Sequence, residues 1–129
     1  MVDYLASLEK SAFVSDYDHN APNADHLRKT HFALYEAIRA AHPDIPYIMI
    51  TRPDVIGRKE ECDARRAVIY ESYQKALANG DKHVRFIDGA TLFGDVDAHE
   101  CTVDTCHPND LGFYRMAGVI GDVLAEFFA

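Results

Sequence analysis

Asp104 and His107 stand three residues apart in Val103-Asp104-Thr105-Cys106-His107-Pro108-Asn109-Asp110-Leu111-Gly112-Phe113. An aspartate so placed, in a loop leading into a helix, can accept a hydrogen bond from imidazole Nδ1–H and fix the tautomer whose Nε2 acts as a base. The same pair could instead cap the helix that follows, with Asp110 as an added first-turn carboxylate. Asn20, in Asp16-Tyr17-Asp18-His19-Asn20-Ala21-Pro22, reads on its own as a turn residue that bonds its own backbone.

Other reactive side chains offer less. The serines are Ser7, Ser11, Ser15 and Ser72, and none lies in a Gly-x-Ser-x-Gly elbow. His19, His99, Cys101, Cys106 and His107 could suggest zinc, but spacings such as Cys101-x4-Cys106 and His99-x-Cys101 match no common zinc pattern, so no metal is expected. Cys106 adjoins His107, and adjacent side chains rarely aim at each other, so a free thiol is expected rather than a Cys-His nucleophile. Asp95, Asp97, Glu100 and Asp104 lack the glycine and terminal glutamate of an EF-hand loop and read as a solvated acidic stretch.

The elements that must position these groups follow from periodicity. Ser11 to Tyr17 is a short apolar run ending in a polar loop, as a buried strand does. Ala24 to Ala41 places Leu27, Phe32, Leu34, Tyr35 and Ile38 on one helical face, and His42-Pro43-Asp44 stops it. Tyr47 to Thr51 is an uninterrupted apolar run between Pro46 and Pro53, which predicts a central parallel strand covered on both faces. Arg58 to Asn79 predicts a second long helix with Ala67, Ile69, Tyr70, Tyr73, Ala76 and Leu77 as its apolar positions, closed by Asn79-Gly80. His83 to Asp88 predicts a third strand, Gly89 to Pro108 a functional loop, and Asp110 to about Phe127 a final helix. This alternation predicts a single three-layer α/β domain over residues 1–129 with a parallel sheet of about three strands.

Composition narrows the function classes. With 129 residues, 26% charged and 48% hydrophobic, the chain suits one globular domain. Its net charge of -8 and scattered basic residues argue against a nucleic-acid partner. No run approaches the ~20 apolar residues that cross a bilayer, and Met1 to Lys10 lacks the features of a signal peptide, so no membrane partner is expected. Three cysteines, an odd number with no C-x-x-C, fit free thiols and a cytoplasmic location.

Asp104-x-x-His107 followed by Pro108-Asn109-Asp110-Leu111-Gly112-Phe113 resembles the last sequence block of the SGNH hydrolases, the GDSL-type esterase and lipase family. Phe13 to Pro22 is similar to that family's third block, in which a loop after a strand presents an asparagine to the oxyanion hole, and His42 to Pro53 looks like its next strand. The resemblance covers about Ser11 to Phe127 and implies a flavodoxin-like sheet and an ester or acyl hydrolase working without metal or cofactor. It implies His107 as general base, Asp104 as its orienting partner and Asn20 as an oxyanion donor. These roles agree with the chemistry, because a serine hydroxyl needs a base and the tetrahedral intermediate needs preorganised donors.

The family's Gly-Asp-Ser block and its glycine-bearing second block have no counterpart here, so the nucleophile is unknown and the chain reads as N-terminally truncated. The expected activity is hydrolysis of small esters, carbohydrate deacetylation among them, in impaired form. The alternative is a non-catalytic module, and a third reading brings the serine from another chain or from Ser11 or Ser15. In the family's sheet order the Ser11 to Tyr17 strand would be left as an exposed edge, which predicts a homodimer through that strand.

Overall fold

The computed structural model describes residues 1–128 as a three-layer α/β arrangement around a parallel sheet of order β1-β2-β3. Its strands are β1 (Phe13–Ser15), β2 (Tyr47–Ile50) and β3 (Val84–Ile87). Its helices are α1 (Val2–Ser7), α2 (Ala24–Ala41), α3 (Lys59–Ala78) and α4 (Asp110–Phe128), with 3-10 turns at Asp18–Asn20, Gly89–Thr91 and Ala98–Cys101. Each expected strand is present but shorter at both ends or at one, because its outer residues bend into the loops. The short helix α1, which packs on α2, was not legible: its six residues are too few to establish an amphipathic period.

β2 shows why an apolar run without alternation marks a central strand. In the parallel register Phe13 pairs with Tyr47, which pairs with Val84. Tyr47 and Met49 therefore face α2 and α3, whereas Ile48 and Ile50 face α4 together with Ile87. All four β2 residues are fully buried, two on each face of the sheet.

The helix ends follow local chemistry. Asn23 Oδ1 accepts from His26 N at 2.9 Å and starts α2. At the far end Arg39 donates to the carbonyls of His42, Pro43 and Ile45, holding the turn into β2. Gly80, at φ 85°, closes α3, with Asp81 N donating back to Ala76 O at 3.1 Å.

The buried faces depart from the apolar periodicity in one instructive way. α3 buries Cys62, Arg65, Val68, Ile69, Ser72 and Ala76, while Tyr70 and Leu77 are exposed. The face is rotated from the expected one because a buried arginine occupies a core position. In α2, likewise, His31 is buried with Leu27, Tyr35 and Ile38. Phe113 and Phe128 of α4 are exposed, since α4 covers the β2 and β3 side with its other face.

His31 is fully buried, and neither ring nitrogen has a hydrogen-bond partner among the described residues. Burial lowers its pKa from 6.5 to about 4, against a smaller opposing pull from Asp18. Between these values the unfolded chain binds a proton that the folded chain refuses, so stability falls as pH drops from 6.5 toward 4, by up to about 3 kcal/mol. His31→Leu is expected to flatten that dependence. Urea unfolding of both proteins from neutral to mildly acid pH measures it, and an unchanged slope would assign the acid sensitivity elsewhere.

Among the described residues, no helix is long and apolar enough to cross a membrane. β1 is an edge strand, and Val14, on the α4 side of the sheet, is 38% exposed.

Candidate active site

The carboxyl ends of the three strands carry every candidate residue. The Asp18–Asn20 turn follows β1, Thr51 and Arg52 follow β2, and the long Gly89–Pro108 segment follows β3. Ligands of open parallel sheets bind at this end of the strands.

The loop bearing Asp104 and His107 is closed at its base. Thr102 and Pro108 form an isolated antiparallel bridge, Val103 N donates to His107 O at 2.9 Å, and Asn109 N donates to Cys101 O at 2.9 Å. Gly112 lets α4 press on this base: a Cβ there would lie 2.3 Å from Cys101 O. The cap of α4 is Asn109, whose Oδ1 accepts from Gly112 N at 3.0 Å. The alternative in which Asp104 and His107 cap this helix is thereby replaced, because Asn109 already occupies the capping position.

Asp104 works inside the loop. Its Oδ1 accepts from Cys106 N at 3.0 Å and from His107 N at 2.7 Å, and Thr105 sits at φ 71° to allow the turn. Its Oδ2 lies 2.6 Å from His107 Nδ1. The backbone and ring hydrogen bonds from His107 hold the Asp104 carboxyl down at about 2, so it stays ionised at neutral pH. A carboxylate on that side fixes the tautomer with Nδ1–H donating and leaves Nε2 as the lone-pair nitrogen. The imidazole is 74% exposed, so Nε2 is open to a reactant.

Across the site, Asp18 is fully buried and anchors the turn that ends in Asn20. Its Oδ2 accepts from Arg52 N at 2.9 Å, and its Oδ1 from Arg65 Nη1 at 3.1 Å. The same Nη1 reaches the carbonyls of Asp18 at 2.9 Å and Ala21 at 3.0 Å, while Arg65 Nε donates to Glu61 at 3.0 Å. Glu61 also pairs with Arg52 at 3.1 Å. This network ties β1, β2 and α3 together directly beneath Asn20, whose own side chain is exposed. His19 is half-buried, its pKa lowered by burial and by Arg52, and it lies close enough to His107 for the two rings to repel as cations. The β1 turn and the histidine loop therefore share one end of the sheet.

Sequence reasoning missed the Asp18–Arg65 pair. Asp18 reads as one of several polar loop residues, and Arg65 as one of the charged residues of an amphipathic helix; only their pairing across 47 positions identifies them.

The serines are not at the site. Ser72 is buried in α3 and donates to Val68 O, Ser7 donates to Tyr4 O in α1, and Ser11 precedes β1. Ser15 is buried on the α2 and α3 side of the sheet, away from Asn20 and His107. Cys62, Cys101 and Cys106 are free thiols, and no metal-holding group of His, Cys, Asp or Glu exists among the described residues. A hollow of about 610 Å³ lies at the opposite end of the strands beside the Arg39–Asp81 ion pair, remote from these groups.

Known proteins share this fold. The chain superimposes on a GDSL-like lipase of Bacteroides ovatus ATCC 8483 with a TM-score of 0.85 and 27% identity, over 98% of this chain and 39% of that one. It shares its fold with the salicylyl-acyltransferase SsfX3 of a tetracycline biosynthetic pathway, with a TM-score of 0.76 and 14% identity, over 99% of this chain and 41% of that one. The chain thus spans about two fifths of each of these structures. No curated protein sequence matches it significantly. The model of the GDSL-like lipase/acylhydrolase family matches residues 1–125, and to that family the chain belongs.

Proposed function

We propose that the chain supplies the base and oxyanion side of a serine-type site that hydrolyses small esters, carbohydrate acetates among them. His107 Nε2 takes the proton of a serine hydroxyl as its oxygen attacks the ester carbonyl, and returns that proton to the departing alcohol. Water then repeats the sequence on the acyl-enzyme and releases the acid. Asp104 keeps the imidazole in its working tautomer, and Asn20 donates to the oxyanion. The observation that carries this reading is the 2.6 Å contact between Asp104 Oδ2 and His107 Nδ1, with Nε2 left open.

The nucleophile is the missing member. In this proposal its hydroxyl comes from chain that adds to the free edge of β1, beside Asn20 and His107. A second reading, a non-catalytic interaction module, is favoured by the burial of Ser15 and Ser72 away from the site. Intact mass after incubation with a fluorophosphonate separates the two. An adduct on a serine of the chain that completes the β1 edge, formed only together with this chain and lost in His107→Ala, supports the hydrolase; a completed complex that takes no adduct supports the module.

In isolation the unpaired β1 edge is proposed to close on its twofold mate as a homodimer. Val14→Lys, which puts a charge on that exposed edge, is expected to give monomers in sedimentation equilibrium. A wild-type chain that is monomeric at every accessible concentration overturns the dimer.

A further inference from the structure

Behind the histidine loop the structure holds a cavity of about 480 Å³, within the range of small-molecule sites. Apolar walls come from Val55 after β2, Ala90 after β3 and Phe93, while Thr105 brings in the same turn that holds Asp104 against His107. The cavity is preformed on several sides. Gly89 packs against the Arg52 carbonyl so closely that a Cβ would lie 1.9 Å away, and Gly89 N donates to Thr51 Oγ1 at 2.6 Å. Arg115 of α4 donates to the carbonyls of Phe93 at 2.5 Å and Val96 at 2.7 Å, fixing the opposite wall.

The charge of the cavity is one-sided. Asp54 is neutralised by Arg66, and the one lysine of the wall, Lys59, is engaged by Asp63 at 2.6 Å. His99 is engaged by Glu100 at 3.3 Å. Asp95 and Asp97 are exposed at the mouth and enter no ion pair among the described residues. Their backbone is set by the 3-10 turn that follows, where Glu100 N donates to Asp97 O at 3.0 Å.

The side of the site on which a substrate's alcohol lies is fixed by the base. The imidazolium must hand its proton to the leaving oxygen, so the alcohol lies on the His107 side and the carbonyl oxygen points toward Asn20. We propose that the cavity beside Thr105 receives the alcohol portion of the ester, and that Asp95 and Asp97 select neutral or cationic alcohols against anionic ones. This rests on the hydrolase reading for the identity of the ligand, and its test requires no turnover.

Three acetate esters of similar size serve as probes: acetylcholine, a cation; 3,3-dimethylbutyl acetate, its uncharged isostere; and 4-acetoxybutanoate, an anion. Each is titrated into the isotope-labelled chain at low salt and followed by backbone amide resonances. Shifts are expected at Ala90, Phe93 and Thr105, with acetylcholine held about tenfold more tightly than the anion. In the Asp95→Asn/Asp97→Asn variant that ratio is expected to fall below about threefold, asparagine preserving the left-handed backbone at Asp97. Equal affinity for all three probes, shifts confined to other regions, or no binding by any of them overturns the proposal. Failure of the hydrolase reading registers separately, as absence of a serine adduct in the fluorophosphonate experiment.

Discussion

His107→Ala is expected to lower kcat/KM for any ester the protein cleaves by about 10⁴ to 10⁶, with its melting temperature unchanged. The two halves of this expectation have different origins. Loss of activity follows because a neutral serine hydroxyl is a weak nucleophile without a base to take its proton, and the imidazole has no substitute within the loop. The stability is spared because the ring stands 74% exposed and contributes nothing to either apolar core. Asp104→Asn is expected to cost about 10⁴ by the same logic, since an amide can donate to Nδ1 and favour the wrong tautomer. Rate measurements and thermal melts on the same preparations check both. Activity retained in His107→Ala would show that hydrolysis does not run through this imidazole.

Asp18→Ala is expected to destabilise the fold by about 3–5 kcal/mol, a drop in melting temperature on the order of 10 to 20 °C. Asp18 and Arg65 are 0% and 4% exposed, so truncating the carboxylate removes the buried counter-charge of the guanidinium and leaves it the partly exposed Glu61 and two carbonyls. The loss also frees Arg52 N, which Asp18 Oδ2 accepts, and loosens the turn that presents Asn20. Removing both charges is different: Asp18→Leu with Arg65→Met is expected to recover much of the stability, because a buried pair repays little more than its own desolvation. A double-mutant cycle by urea unfolding measures this coupling. A single-variant loss below about 1 kcal/mol would show that water reaches the pair and that the turn is held by other contacts.

The homodimer expectation and the Asp18 network bear on the same strand from opposite sides. The network secures β1 to β2 and α3 on its paired side, whereas among the described residues no strand lies against the other edge of β1. A rigid strand with a free edge is a template for pairing. This is why the complement of the site is sought there rather than along α4, whose exposed Phe113 and Tyr114 offer no backbone groups to pair.

Periodicity and local motifs are short-range properties, and what they fixed is short-range. The limits of α2 lie where Asn23 and His42-Pro43 place them. β2 is central because Tyr47 to Ile50 has no polar residue to leave in water. The Asp104–His107 pair was legible because its members are three residues apart, so loop geometry alone can join them. Tertiary packing decided the rest. It decided which face of α3 is buried, since Arg65 finds its buried counter-charge in Asp18, 47 residues earlier in the chain. It gave the cap of α4 to Asn109 and left His107 facing solvent. It gathered the Val55, Ala90, Phe93 and Thr105 walls of the cavity from three separate segments. No window of sequence encodes such meetings, because they are set by the parallel register of the strands and by close approaches such as Gly89 on Arg52, not by the preference of any one residue.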